Sequence, residues 1–241
     1  MMGYWGYYRE YETVGQKIAK AKRQLDELKK TNPNICPVII EGNTIAKSWW
    51  GKAWTKNLES YADYSNRIDR GRSYVRNGLV IDLKIEAGQV CALVCGSSNT
   101  PYRIKVEIEP LLKEKLDNLT KLCNNRINGL EELVEGRFPK ELEDIFTQKN
   151  QGLFPSNKEI KFTCSCPDVA YMCKHVSAVL YAIGAKFDTD PTLFFKLRGI
   201  EFKLFLAKTV EEKMQSMLKN AGKNSKRVIT DKEAATLFGI L

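Results

Sequence analysis

Residues 161–184 read KFTCSCPDVAYMCKHVSAVLYAIG. Cys164 and Cys166 stand one residue apart, and after a gap of six residues Cys173 and His175 repeat that spacing. His175 is the single histidine in the chain, and three of the seven cysteines fall in this stretch. Upstream, "EIKFT" has strand chemistry. Downstream, "HVSAVLYAIG" sets Val176, Val179, Leu180 and Ile183 on one helical face. The second pair therefore sits in the first turn of a helix, and Pro167 helps set a turn between the two cysteines of the first pair. A strand, a knuckle and a helix start converge on one point, which suits the four tetrahedral sulfur and nitrogen ligands that zinc prefers. The competing reading is a set of buried free cysteines beside an incidental histidine. Concentrating these scarce residue types within twelve positions favours the metal.

Outward from this stretch, "LVIDLKIE", "QVCALVCG" and "YRIKVEIE" alternate or run β-branched, parted by "AGQ" and "SSNTP". They predict an antiparallel meander over roughly residues 74–109. Cys91 and Cys95, four apart in its middle strand, are expected on one face as small buried hydrophobes. Residues 111–146 return to helical patterning with proline starts and glycine breaks, consistent with two or three helices. The class is α+β: a β-meander flanked by helices, with a strand–knuckle–helix finger packed beside it. Organised by sequence, residues 1–150 form a helical and sheet body, 151–200 the finger and 201–241 a basic helical segment. No flexible linker separates them, so one compact unit is expected.

Near the N-terminus, Val14, Ile18, Ala21, Leu25 and Leu28 mark an amphipathic helix whose opposite face is rich in lysine and arginine. That face is either solvated or turned toward phosphates. "NTIAKSWWGKAWTKNLESYADY" predicts a second helix, capped by Asn43 or Ser48, with Trp50, Trp54, Leu58 and Tyr61 along one stripe. Such a stripe packs a core or serves as a ligand platform. "RIDRGRSYVRNG" then interleaves Arg67, Arg70, Arg72 and Arg76 with Tyr74. As a glycine-containing loop it offers guanidinium groups for phosphate and a ring for base stacking, or simply solvated arginines before a strand. Beyond the finger, Asp188 and Asp190 precede Pro191; Asp190 caps the next helix, or the pair forms an acidic site. The tail carries Lys219, Lys223, Lys226 and Arg227, then Thr230 and Glu233 at capping-box spacing.

The chain has 241 residues, 43% hydrophobic, with a formal net charge of +9. That supports a folded core and anionic partners. The charge is +6 over residues 1–80, −2 over 81–150 and +5 over 151–241, which excludes the middle third as the anion-binding part. An odd number of irregularly spaced cysteines argues against a disulfide framework and for a reducing, cytoplasmic compartment. No apolar run is long enough to span a membrane, and the N-terminal residues lack the features of a secretory signal.

Cys-x-Cys, a short gap and Cys-x-His resemble the SWIM zinc finger. "GNTIAKSWWGKAW", "GRSYVRNGLVIDLKIEAGQVCALVCGSSNTPYRIKVEI" and "CKHVSAVLYAIGAKFDTDPTLFFKLRG" extend the resemblance to stand-alone bacterial and archaeal SWIM proteins, over roughly residues 43–200. The resemblance implies that Cys164, Cys166, Cys173 and His175 hold one zinc ion. It also implies a finger that binds DNA or proteins, in a protein that accompanies a Snf-type helicase.

Four protein ligands leave no position for water, and three thiolates around a dication leave a centre of about −1, a poor Lewis acid. The zinc is therefore expected to be structural. With the sole histidine committed to metal, histidine-based nucleophilic catalysis is unavailable, and no phosphate loop or dinucleotide fingerprint appears. The expectation is a non-enzymatic, zinc-stabilised accessory protein that binds nucleic acid, DNA ahead of RNA. Arg67, Arg70, Arg72, Tyr74, Arg76, Lys161 and Lys174 are its candidate contacts, and Lys158, Lys186, Lys196 and Arg198 also flank the finger. The alternative is an adaptor that docks a helicase or other subunit without touching nucleic acid.

Overall fold

A computed structural model describes residues 12–126 and 140–221. Its sheet holds β1 (Val80–Glu86), β2 (Gln89–Val94), β3 (Tyr102–Ile108) and β4 (Ile160–Cys164), antiparallel and in chain order. The strand leading into the cysteines is thus the fourth strand of the sheet, and the finger grows out of the sheet instead of packing beside it. Its register pairs Ile108 with Ile160 and Ile104 with Cys164. Alternation buries Val90, Ala92, Val94, Tyr102, Ile104, Val106 and Ile108 on one face. On the other face Cys91 is exposed. Cys95 is buried because it lies past the end of β2, where the two-residue period no longer applies.

Helix α6 (Lys174–Thr189) crosses the apolar face, with every residue from His175 to Gly184 buried. Its outer side is covered by α2 (Trp49–Glu59) and α3 (Ser65–Arg76). Ser48 caps α2, and its own hydroxyl and backbone N–H bond Asp188 at the far end of α6. Trp54 is fully buried and donates its indole N–H to the Leu180 carbonyl at 2.9 Å; Trp50 donates to that of Phe187 at 3.1 Å. The tryptophan stripe is core. Asp190 accepts from the Thr192 N–H, so each carboxylate of the Asp188–Asp190 pair has a structural partner at a helix start.

The stretch expected as a loop, residues 67–78, instead lies mostly within α3. Ile68, Gly71, Tyr74 and Val75 make its inward stripe. A Cβ on Gly71 would stand 2.2 Å from Ser177 Oγ, so only glycine lets α3 cross α6 this closely.

Helix α1 (Val14–Thr31) begins with a Thr13–Gln16 capping box. Ala21 and Gln24 are buried, and Leu25 and Leu28 pack on the core, whereas Val14 and Ile18 are exposed. Helices α4 (Lys113–Arg126) and α8 (Phe202–Ala221) pack together at the other end. Between them in sequence come the 3-10 turn Lys140–Leu142, α5 (Glu143–Thr147) and α7 (Thr192–Leu197). Buried residues from Ala21 to Phe205 make one core cluster. The tail features at Lys223, Lys226, Arg227, Thr230 and Glu233 lie outside the described residues. Among those described, no helix is long and apolar enough to cross a membrane.

Candidate metal centre

Cys164 ends β4, Cys166 follows in the turn, Cys173 is the N-cap of α6 and His175 lies in its first turn. Ser165, between the first two ligands, bonds the Arg103 backbone twice. Its N–H donates to the Arg103 carbonyl and its hydroxyl accepts the Arg103 N–H, both at 3.0 Å. These bonds carry β3–β4 pairing up to the knuckle and set the turn between the two thiols.

The four ligand atoms lie within 4.8 Å of one another, and His175 Nδ1 is 3.9 Å from the sulfurs of both Cys164 and Cys173. Zinc–ligand bonds of about 2.0–2.3 Å in a tetrahedron separate the ligand atoms by roughly 3.5–3.8 Å. The site fits one zinc ion held by Cys164, Cys166, Cys173 and His175.

Without a cation's charge the protein's own groups favour only one of the three thiols as a thiolate, and Cys164 and Cys166 are both shifted up. The hydrogen bond from Cys164 holds the Cys173 thiol well below its usual range, while the same contact and burial push Cys164 up. Burial lowers His175, favouring the neutral imidazole that a metal requires. The ring is walled by Tyr102, with centroids 4.4 Å apart, and by Tyr74 at 5.4 Å edge-on. A Cβ at Gly96 would come within 2.9 Å of Nε2, so glycine is needed behind the ligand as well.

Residues 155–184 match the family model of the SWIM zinc finger. A curated relative, the uncharacterized protein Rv2102 of Mycobacterium tuberculosis, is 38% identical over 164 residues. That match takes in 68% of this chain and 59% of the relative, so the chain spans under two thirds of the relative's length. No solved structure matches. Family match and ligand geometry agree on a SWIM zinc finger carrying one structural zinc ion.

The expected nucleic-acid contacts separate into two sets. Arg67 is committed to the knuckle, with Nη2 and Nε each 3.2 Å from a carboxylate oxygen of Asp168. Beside it Asp63 accepts the N–H groups of Tyr171 and Met172 at 2.8 and 3.3 Å. Arg72 bonds Glu59 at 2.7 Å and Asp69 at 3.0 Å, and lies over the Tyr181 ring. Tyr74 is buried against His175, so its ring is closed to stacking, although it stands at the wall of the cleft that Arg70 and Lys174 line. Arg76 is exposed at the end of α3, and Lys161 is exposed on the outer sheet face opposite Glu107. Arg198, only 1% exposed, bonds Glu159 and the Glu109 carbonyl in the interior, and Lys196 pairs with Glu86.

Arg70 and Lys174 come together. They line an open cleft of about 970 Å³ with Lys17, Ser73 and the 97–99 loop. Among the described residues its one acid, Glu12, is paired with Lys20 at 3.0 Å, while three basic side chains line it. Lys17 and the loop were missed as contacts, although the basic face of α1 signalled the former. The loop lies there because Gln24 donates to the Asn99 carbonyl and Lys20 to that of Gly96.

Proposed function

We propose that this zinc-finger protein binds the phosphate backbone of nucleic acid through the cleft between α1, α3, the 97–99 loop and the start of α6. The observation that carries the reading is the meeting of Lys17, Arg70 and Lys174 with serine hydroxyls beside the zinc-fixed helix start. Zinc does no chemistry in this reading; it holds Lys174 in place. Lysine and arginine contacts to phosphate are strong, salt-sensitive and indifferent to sequence.

The test is fluorescence anisotropy with short DNA and RNA over a range of salt concentrations. Affinity is expected to fall steeply with salt. The double variant Arg70→Ala/Lys174→Ala should flatten the log–log slope by roughly 1.4–1.8, from about 0.7–0.9 per phosphate contact. Salt-independent binding, or an unchanged slope in the variant, overturns the reading.

A second reading, docking of a partner chain such as a helicase motor, is favoured by α8, where Met214, Met217 and Leu218 are exposed. Met217→Glu/Leu218→Glu would abolish co-purification of a motor subunit and leave oligonucleotide binding intact.

A further inference from the structure

We propose that the ligand is single-stranded, with unpaired bases stacking on Tyr64 and Tyr171 beside the zinc knuckle. This rests on the nucleic-acid reading and deepens it. The ring expected to stack, Tyr74, is buried, but two others are open: Tyr64 is 57% exposed and Tyr171 44%. They flank one seam, because Asp63, next to Tyr64, accepts the Tyr171 N–H at 2.8 Å. Helix α3 starts at this seam and carries Arg70 and Ser73 into the cleft. At 1.5 Å per residue, Tyr64 to Ser73 spans about 14 Å, a reach that a short strand covers.

The two ends differ in chemistry. Within the seam, Asp63 is occupied by two N–H groups and Asp168 by Arg67, while Val169 is wholly exposed at the knuckle tip. The seam is therefore suited to uncharged base faces, and the cleft to phosphates. Tyr171 is preset: its hydroxyl donates to the Ile160 carbonyl at 3.0 Å, and its ring leans on Phe162 with centroids 5.0 Å apart. An immobilised ring loses little freedom on binding. A duplex keeps its base faces inside its own stack, so exposed rings reward unpaired bases alone.

The experiment uses the zinc-loaded full chain and labelled oligonucleotides of about 15 nucleotides, within the range one binding module covers. The arms are single-stranded DNA, single-stranded RNA and duplex DNA, each with Tyr64→Ala, Tyr171→Ala, Tyr64→Trp and Arg70→Ala. Each alanine at a tyrosine is expected to weaken single-strand binding about 5- to 150-fold, the yield of one stacked base, and to leave duplex binding unchanged. Tyr64→Trp should retain or tighten it, and Arg70→Ala should weaken every arm. Because Tyr171 touches the finger, zinc content and melting are checked for its variant, and Tyr64→Ala decides if that variant has lost metal. Equal affinity of the intact protein for strand and duplex, or tyrosine variants that bind as the parent does, overturns the stacking proposal. If Arg70→Ala still weakens binding in that case, the cleft reading survives. No binding in any arm overturns both. The DNA and RNA arms identify the sugar.

Discussion

At the scale of single residues, the metal ligands follow from local spacing. Cys164, Cys166, Cys173 and His175 span twelve residues, so turn and helix geometry alone bring them together, and the sequence predicts all four. The partners of Arg67 and Tyr74 do not follow in this way, because Asp168 and His175 are each about a hundred positions distant in the chain. An arginine beside a tyrosine looks the same in sequence whether it meets a phosphate or a carboxylate. Two predictions belong here. Elemental analysis should find zinc one-to-one in the parent, and Cys173→Ser and His175→Ala should each lose it and melt at markedly lower temperature. Zinc-peptide binding energies on the order of 10 kcal/mol set the scale. Arg67→Ala frees Asp168, whose N–H supports Cys166, and should lower zinc affinity about ten-fold in a chelator competition. Since Arg67 is paired with Asp168 away from the proposed cleft, the salt slope of oligonucleotide binding should stay as it was.

At the scale of elements, the strands and most helices were legible because their periodicities survive inspection of single residues. Helix α3 was not. Its inward stripe of Ile68, Gly71, Tyr74 and Val75 has helical spacing, but the second position of the stripe is a glycine, which reads as a break unless a neighbouring helix explains it. Ser177 on α6 explains it. Gly71→Ala gains helix propensity and would stabilise an isolated helix by up to about 1 kcal/mol. In the protein it drives a methyl into Ser177 and the α6 backbone, and should destabilise by about 1–3 kcal/mol in chemical denaturation. Ser177→Gly in the same chain should recover part of that loss, since the contact to the Ala178 nitrogen would persist.

At the scale of the whole molecule, the cleft draws on α1, α3, a loop after β2 and the start of α6, four places that no local pattern connects. The fold is also tied across its length by Arg198, which links the end of α7 to Glu159 before β4 and to the Glu109 carbonyl after β3. Burial works against the charged form of Glu159, yet the Ser156 N–H and the Arg198 guanidinium hold it down at about 2. Its folded value lies below the ordinary 4.5, so the stabilisation is complete above about 4.5 and is lost as the pH falls toward 2. A pH series of denaturation midpoints should show that decline, and Glu159→Gln should reduce it. Arg198→Ala removes the buried cation and leaves Glu159 only the longer Lys115 contact at 3.6 Å, so it should cost about 3 kcal/mol, the low end for a broken buried pair.

Strand β4 lies at the sheet's edge, and the first two ligands stand at its end. Metal therefore does a second service, as a clasp on an otherwise sticky border. Once a chelator strips the zinc, the knuckle no longer holds this five-residue strand in register, and its edge groups, apart from the Ile160 carbonyl taken by Tyr171, can template pairing with another copy. Demetallated protein should accordingly form β-rich aggregates in light scattering, in proportion to chelator and reversibly on early return of zinc.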